Sequence, residues 1–387
     1  MNKKKIYSII DFGSSKIRLS IYDNNSNENY SETILNNNTS ISNGRCKELE
    51  DLIKRTEKKI SCLIEDVIIL VDSSKLFSID ISLSRKLDSK DSFFKIFNTI
   101  ALEAKHIINS HYNNFDIVHI TYEKYIINEK IYYEYFRDDK KIDNLKIDFK
   151  LICFPKNLIS SIENIFNNIN IKIVKIYSSS YVKTDYYLKK LNQKKTSFLE
   201  IGYDRSTFLI YENERLRFVQ SIPIGGHHIT NDISKVFKIS YLESEIIKKA
   251  FNKSETEFSY NKNDLSSNFS VKDIIDKKIL INLLIKVILY RIQEILDFNF
   301  KKTKIDSLKL DLKDTNLFLI GDGSKLFNNN SFHLEDKFNF NSINFYSETD
   351  NEICKAGLVF YHKDLDLRKI NKKKQGIFER FFNFLGK

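Results

Sequence analysis

The candidate chemistry of this chain lies in glycine-containing turns that could bind phosphate. The first turn separates two strand-like runs and contains Asp11, Gly13, Ser14, Ser15 and Lys16. Glycine lets the backbone approach an anion closely, and serine hydroxyls and backbone N–H groups can surround phosphate oxygens. Asp11 ends its strand, where a carboxylate could hold Mg²⁺ through water. Many hairpins carry such a turn, so alone it is a weak signal.

Three further turns make the pattern more specific, because each follows a predicted strand. Their residues are Glu200, Gly202, Tyr203 and Asp204; then Gly225 and Gly226; then Gly321, Asp322, Gly323 and Ser324. The first of these repeats the opening turn about half a chain later and offers Glu200 as a second candidate Mg²⁺ ligand. The glycine pair leads from a strand into a helix. The last turn would let a base or ribose approach the backbone.

The helix after the glycine pair carries a charged face. Glu245, Lys248 and Lys249 are spaced i, i+3 and i+4, which places them on one side of that helix. They are either part of a ligand pocket or a surface ion pair. The adjacent histidines His227 and His228 lack a third metal ligand nearby, so we interpret them as residues of the helix entry.

The elements that position these turns form two similar halves. Residues 6–23 and 196–226 each read as strand, turn and strand with alternating apolar residues, and helical segments follow each half. Such a duplicated α/β architecture usually places a ligand in the cleft between its domains. Residues 252–272 are polar and predict a loop or insert.

Composition limits the functional classes. The 387 residues are 42% hydrophobic, which is enough for two domains, and no apolar run reaches the length of a membrane span. The net charge of +11 is spread along the whole chain, and no nucleic-acid-binding motif accompanies it, so we interpret it as a solvated lysine-rich surface rather than a nucleic-acid site. The four cysteines lie far apart, and the apolar N-terminal stretch is too short for a signal peptide; both indicate a cytosolic protein.

The C-terminal residues predict an amphipathic helix at 376–387 behind a charged tether at 363–375. Its apolar face would contain Ile377, Phe378, Phe381, Phe382, Phe384 and Leu385. Three lysines at 372–374 precede it, and an aromatic face with a basic flank is typical of a helix that lies in the surface of an anionic membrane. The alternative is a terminal helix that docks on its own domain.

The ordered turns resemble the actin, sugar-kinase and chaperone ATPase superfamily, and within it the FtsA family of bacterial cell-division proteins. Three segments carry the FtsA resemblance: SIIDFGSSKIRLSIYD at 8–23, SIPIGGHHITNDISKVFKISYLESEIIKKAF at 221–251 and LFLIGDGSKL at 317–326. The terminal GIFERFFNFLGK resembles the membrane-targeting helix of that family. The resemblance implies ATP and Mg²⁺ as ligands, with Glu245, Lys248 and Lys249 lining the adenosine pocket.

The resemblance also implies an organisation and partners. It predicts an actin-like, ribonuclease H-like duplicated fold with subdomain 1A at 1–77 and 159–190, 1C at 78–158, 2A at 191–232 and 303–362, and 2B at 233–302. The partners implied are the FtsZ C-terminal peptide on 2B, other copies of the chain in a filament, anionic lipid, and further division proteins through 1C. The implied place is the cytoplasmic face of the cell membrane at the division site.

One departure from the family concerns its second phosphate loop, which usually reads D-[IL]-G-G-G-T. Here Glu200 replaces the aspartate, and Tyr203, Asp204 and Arg205 replace small residues. We therefore expect ATP binding with slow or absent hydrolysis. Two alternatives stay open: an actin-like component of type IV pilus assembly, which shares the IPIGG run, and a sugar kinase or phosphatase of the same superfamily.

Overall fold

The structure is a computed structural model, and it describes residues 6–35, 43–86, 93–133, 142–250, 281–300, 312–327 and 338–373. The chain divides into two compact units. Unit 1 comprises Met1–Asp72, Phe77–Leu191 and Thr349–Lys387, and unit 2 comprises Ser73–Leu76 and Asn192–Glu348.

Unit 1 is built on a five-stranded sheet in the order β3-β2-β1-β4-β9. Strands β1, β2 and β3 are antiparallel neighbours, whereas β4 and β9 run parallel to β1. The strands are β1 Tyr7–Phe12, β2 Lys16–Tyr22, β3 Glu28–Leu35, β4 Asp66–Val71 and β9 Lys172–Ser178. Because β1 and β2 form a tight hairpin, Asp11 lies directly opposite Arg18.

Unit 2 repeats this arrangement in the order β12-β11-β10-β13-β14. Three antiparallel strands again precede two parallel ones, which confirms the predicted duplication. The strands are β10 Lys195–Ile201, β11 Ser206–Glu212, β12 Arg215–Ile222, β13 Asn316–Ile320 and β14 Ser342–Phe345. Their apolar residues, including Leu199, Phe208 and Leu319, are fully buried in one core.

A third sheet occupies the stretch predicted as an inserted subdomain. Its antiparallel order is β5-β8-β6-β7, and the helix α2 (Phe93–His111) supplies Ile96, Ile100 and Ala104 to its core. The strands are β5 Phe77–Lys86, β6 Phe115–Ile127, β7 Lys130–Tyr132 and β8 Asn144–Pro155.

The remaining helices flank the sheets. They are α1 Asn43–Ile60, α3 Lys156–Asn168, α4 Ser179–Leu191, α5 Gly226–Phe237, α6 Tyr241–Ala250, α7 Ile281–Phe300 and α8 Asp350–Lys373, with a 3-10 helix at Asp322–Phe327. Helix α4 was not predicted from the sequence. Most of its residues are buried, including polar ones such as Ser180 and Thr184, so it lacks the clear apolar stripe of an amphipathic helix.

The last helix differs from the sequence interpretation in two ways. It runs to Lys373, through most of the stretch predicted as a tether, since neither glycine nor proline interrupts 363–375. It also belongs to unit 1 and not to the second domain as the boundary at 362 implied: Cys354 and Leu358 share a core with Ile9 and Leu70.

The predicted terminal helix at 376–387 and the polar stretch at 252–272 lie outside the described residues. Within the described part of the chain, no helix has the length and apolar character needed to cross a membrane.

Candidate functional site

The first predicted turn places Asp11 in a small polar cluster in unit 1. Asp11 is 4% exposed, and its Oδ2 atom accepts a hydrogen bond from Nη1 of Arg18 at 2.7 Å. Its Oδ1 atom accepts one from Oγ of Ser179 at 2.8 Å, at the start of α4. The carboxylate that we predicted as an Mg²⁺ ligand is thus compensated by protein groups on both oxygens.

Arg18 links this carboxylate to the last helix. Its Nε atom donates to Oδ1 of Asp350 at 2.5 Å, and its side chain is 13% exposed. Burial lowers the pKa of Arg18, but the charges of Asp11 and Asp350 more than offset this and raise it above its usual value. Sequence reasoning missed Arg18, although pairing across the hairpin would have placed it opposite Asp11. No sequence signal pointed to Ser179.

The remaining residues of the first turn are half-buried. They are Gly13, Ser14, Ser15 and Lys16. A Cβ atom at Gly13 would lie 2.8 Å from the carbonyl oxygen of Lys16, so the tight turn requires glycine there.

In unit 2, the turn after β10 is bound to the glycine pair by backbone hydrogen bonds. The carbonyl of Gly202 accepts from the N–H of Gly226 at 2.9 Å. The carbonyl of Tyr203 accepts from both the backbone N–H of His227 at 2.8 Å and its ring Nδ1 at 2.9 Å. The first N–H groups of α5, which could bind an anion at a helix N-terminus, therefore already have carbonyl partners.

Gly225 makes this close approach possible. A Cβ atom there would lie 2.6 Å from the N atom of Arg205 and 2.7 Å from the carbonyl oxygens of Gly202 and Tyr203. These are backbone atoms, which cannot move aside as a flexible side chain could. A Cβ atom at Gly226 would have only ordinary contacts, the shortest 3.5 Å to the oxygen of Gly202.

The side chain of Tyr203 makes further contacts with helices α5 and α6 at this turn. Its hydroxyl oxygen lies 2.6 Å from that of Tyr241, at the start of α6, and its ring stacks on His227 with centroids 5.1 Å apart. His228 stabilises the same turn, because its Nδ1 atom accepts from the N–H of Gly225 at 3.1 Å. Burial and the neighbouring His227 lower the pKa of His228, which favours the neutral form that this hydrogen bond requires.

The third turn of unit 2 lies against the end of β10. Gly321 has a φ of 86°, and its N–H donates to Oε2 of Glu348 at 2.7 Å. Oγ of Ser324 donates to the carbonyl of Gly321 at 2.7 Å. A Cβ atom at Gly323 would lie 2.8 Å from the carbonyl oxygen of Ile201 and 3.3 Å from that of Gly202. The turns at Gly323 and Gly202 are therefore direct neighbours.

Two charged residues of these turns pair locally. Asp322 is exposed and pairs with Lys325 at 2.7 Å. Asp204 pairs with Arg205 at 3.1 Å.

The predicted charged face of α6 separates into a buried and an exposed part. Nζ of Lys248 donates to the carbonyl of Gly226 at 3.0 Å and to Oγ1 of Thr230 at 2.8 Å, and it pairs with Glu245 at 2.6 Å. Burial lowers the pKa of Lys248, and the charge of Glu245 opposes that effect. Lys249, in contrast, is 73% exposed on its side chain. Lys248 thus fastens α6 to the start of α5.

These residues fit a nucleotide better than they fit a metal ion. Gly323 and Gly202 are adjacent and half-buried, and the lack of a side chain at Gly323 lets the two turns pack directly against each other. Glycine-rich backbone of this kind can also be approached closely by a ribose or phosphate. Glu200, the second candidate Mg²⁺ ligand, is half-buried in β10 between Thr207 and Ile320. Among the residues described, no three histidine, cysteine or acidic side chains lie together as a metal site.

Comparisons with known proteins agree with this architecture. Residues 198–336 match the family model described as cell division protein FtsA. That stretch contains the turns at Gly202, Gly225 and Gly321, so the match confirms the predicted resemblance for this part of the chain. No curated protein matches the chain.

Two solved structures show the fold. The PilM–PilN type IV pilus biogenesis complex matches with a TM-score of 0.61 and 10% identity, over 93% of this chain and 99% of that chain. MreB5 of Spiroplasma citri bound to AMPPNP matches with a TM-score of 0.50 and 12% identity, over 95% of this chain and 99% of that chain. The protein therefore has the actin-like ATPase fold.

Proposed function

We propose that this protein is an actin-like, ATP-binding cell-division protein that polymerises and anchors the FtsZ ring to the cytoplasmic face of the cell membrane at the division site. The observation that carries the proposal is the FtsA match over 198–336, because this stretch contains three of the four predicted nucleotide turns. The adjacency of Gly202 and Gly323 in unit 2 supports nucleotide binding there.

When bound, ATP would supply a charged ligand through which the state of the nucleotide controls polymerisation of the protein. The backbone of Gly321–Ser324 and of Gly202 would hold its ribose and phosphates. Lys248 would stabilise the glycine pair through its hydrogen bond to the carbonyl of Gly226. Hydrolysis would be slow or absent, since Tyr203 and Asp204 stand where the family has small residues. Phosphate release faster than about one turnover per minute would contradict slow hydrolysis, since typical enzymes turn over about once per second or faster.

The membrane part of the proposal rests on the residues 376–387. Each buried phenylalanine contributes about 1.5–3 kcal/mol at full burial and less in an interface, and each nearby lysine adds about 1 kcal/mol on anionic lipid. Together these contributions give reversible binding to the membrane, and the binding becomes stronger when many copies of the chain are joined in a filament. The test is sedimentation with vesicles containing anionic lipid, comparing the full chain with the chain lacking 376–387 and with Phe381→Glu/Phe382→Glu.

Asn383→Glu is the control, because it adds one negative charge on the polar face of the same predicted helix, where the double variant adds two on the apolar face. We expect the deletion and the double variant to lose binding and the control to keep most of it. Equal binding by the full and the shortened chain would refute the anchor.

The partner part is tested with an FtsZ C-terminal peptide. The family resemblance implies a docking site on 2B, roughly 233–302, and a pull-down should then retain the full chain on immobilised peptide. Sedimentation of the chain with ATP tests polymerisation separately. Further division proteins would bind through the third sheet at 78–158.

Type IV pilus assembly is the second candidate, favoured by the IPIGG run at 222–226. The matched pilus structure is a complex of PilM with PilN, so a PilN peptide is the pilus-type peptide to test. Retention on the FtsZ peptide and not on a pilus-type peptide would support cell division, and the reverse result would support pilus assembly.

A further inference from the structure

Asp11 is the carboxylate on which a magnesium site in unit 1 would depend. Mg²⁺ in nucleotide sites is usually held by one or two carboxylates, and water and phosphate oxygens complete its octahedron. The predicted ligands are Asp11 and Glu200. Glu200 lies half-buried within β10 and belongs to no group of three histidine, cysteine or acidic side chains in the described part of the chain. Whether the protein itself contributes to binding Mg²⁺ is therefore decided at Asp11.

Both carboxylate oxygens of Asp11 already have donors inside unit 1. Nη1 of Arg18 lies 2.7 Å from Oδ2, and Oγ of Ser179 lies 2.8 Å from Oδ1. Asp11 is only 4% exposed, so little of its surface is left for a hydrated ion. The guanidinium also brings the positive charge that a metal would otherwise supply, because Arg18 and Asp11 form an ion pair.

Arg18 is held in this position by two elements of unit 1. It is the direct partner of Asp11 in the register of the β1–β2 hairpin. Its Nε atom donates to Oδ1 of Asp350 at the start of α8 at 2.5 Å, and its side chain is 13% exposed. A largely buried guanidinium between two carboxylates is hard to displace, since its removal leaves uncompensated buried charge. A divalent cation at Asp11 would also meet a fixed charge of its own sign.

The second buried carboxylate near the start of α4 does not replace Asp11 as a metal ligand. Oδ1 of Asp72 accepts from Oγ of Ser178 at 2.7 Å. Its Oδ2 atom accepts from the N–H of Ser180 at 2.8 Å and from the hydroxyl of the same residue at 2.6 Å. Asp72 is 5% exposed, so its carboxylate stabilises the beginning of α4 within the protein.

We propose that Arg18 takes the place of Mg²⁺ at Asp11, so that the protein binds its nucleotide with an affinity that does not depend on magnesium. The inference rests on the nucleotide binding proposed above. It replaces the metal that the family resemblance implies with a cation of the chain itself. Arg18 is then the residue that determines whether the metal takes part in binding.

The test is calorimetric titration of the full chain with ATP, once with excess magnesium chloride and once with EDTA. We expect the two dissociation constants of the wild-type chain to differ by less than about threefold. Arg18→Gln retains a hydrogen-bond donor but removes the charge, which leaves the carboxylate of Asp11 without a cation. This variant should bind ATP about tenfold more tightly with magnesium than with EDTA, because Mg²⁺ can then pair with Asp11.

Arg55→Gln is the matched control, because it removes the same charge from a surface ion pair with Glu32, where the arginine side chain is 52% exposed. It should keep the wild-type ratio. The wild-type comparison requires no variant, so it decides the magnesium dependence even if Arg18→Gln folds poorly.

The contrary outcomes separate the parts of the proposal. A wild-type affinity that falls by about tenfold or more in EDTA would overturn the inference and leave nucleotide binding standing. A ratio near one in both the wild-type chain and Arg18→Gln would overturn the role of Arg18. Failure of the wild-type chain to bind ATP under either condition would contradict the proposed nucleotide function and this inference together.

Discussion

The turn at Asp11 in unit 1 and the turn at Gly202 in unit 2 occupy equivalent places in two sheets of the same topology, yet they are stabilised by different groups. Side-chain charges hold the first: Asp11 pairs with Arg18 and accepts from Ser179. Backbone carbonyls hold the second, where Gly202 and Tyr203 accept from the first residues of α5. The strand–turn–strand pattern therefore does not determine which groups complete the turn. We expect the turn held by side-chain charges and the turn held by backbone carbonyls to respond differently to substitution.

The largest effect is expected in unit 1, from Arg18→Leu. The substitution leaves the buried carboxylate of Asp11 with Ser179 as its remaining partner in the cluster, and removing one member of a buried ion pair costs about 3–5 kcal/mol. We expect the free energy of unfolding in urea at pH 7.5 to fall by about 4 kcal/mol.

Arg55→Leu is the control for this prediction. Arg55 pairs with Glu32 on the surface, where the expected loss is at most about 1 kcal/mol. Adding Asp11→Asn to Arg18→Leu should recover part of the stability, because it removes the uncompensated charge. Equal losses in Arg18→Leu and Arg55→Leu would show that the cluster is not an ion-pair-stabilised turn.

In unit 2 the corresponding test is a pair of glycine substitutions. Gly225→Ala places a methyl group 2.6–2.7 Å from three backbone atoms, so the turn must separate from α5. Overpacking of this kind costs up to about 3 kcal/mol. Gly226→Ala meets only ordinary contacts and lies in the first turn of a helix, where alanine is neutral or stabilises by up to about 1 kcal/mol.

The measurement is thermal and urea unfolding of both variants beside the wild-type chain. A loss in Gly226→Ala as large as that in Gly225→Ala would mean that the close approach of the two turns does not stabilise unit 2.

These two turns also show how far the sequence predicts such a protein. The order of strands and glycines predicts the duplicated sheets and the positions of all four turns, because local periodicity and turn chemistry determine both. The inserted sheet at 77–155 lies in a stretch that only the family resemblance marks as a separate subdomain. What the sequence does not predict are contacts between residues distant along the chain.

Ser179 and Asp350 illustrate this limit. They reach the cluster around Asp11 and Arg18 from 168 and 332 residues away, and nothing in their local sequence marks them. Helix α4 was missed because its buried residues include serine, threonine and lysine, whose polarity hides the periodicity of a buried helix. Lys248 and Lys249 looked equivalent by spacing, whereas the structure buries one and exposes the other.

Those two lysines provide a smaller test of the unit 2 turn. Lys248→Met removes hydrogen bonds to Gly226 and Thr230 and the ion pair with Glu245, and hydrogen bonds that involve a charged group contribute about 1.5–3 kcal/mol. We expect a loss of about 2 kcal/mol in the urea unfolding free energy. Lys249→Met, on the same helix face but exposed, should lose less than about 0.5 kcal/mol. Equal losses would indicate that α6 is fastened to α5 by apolar packing and not by Lys248.

The smallest expected effect distinguishes the two turns by pH. In unit 2, Nδ1 of His228 accepts from Gly225, so the hydrogen bond requires a neutral ring, and burial with the charge of His227 lowers the pKa of His228 below its usual value. Between the unfolded pKa of about 6.5 and the lower folded value, the unfolded chain binds a proton that the folded chain does not. Stability therefore falls as the pH decreases from about 7.5 to about 5.

His228→Asn retains an acceptor near the position of Nδ1 but cannot titrate in this range. The wild-type chain should lose about 1 kcal/mol more than this variant over the same interval, which is the contribution of one neutral hydrogen bond. Burial lowers the pKa of His119 to about 3, but that residue contributes equally to both proteins and cancels in the difference. His111→Asn, at an exposed histidine of α2, should retain the wild-type slope. In unit 1, the raised pKa of Arg18 keeps its guanidinium charged throughout this pH range. In unit 2, a slope that His228→Asn leaves unchanged would mean that backbone contacts alone close the turn at Gly202.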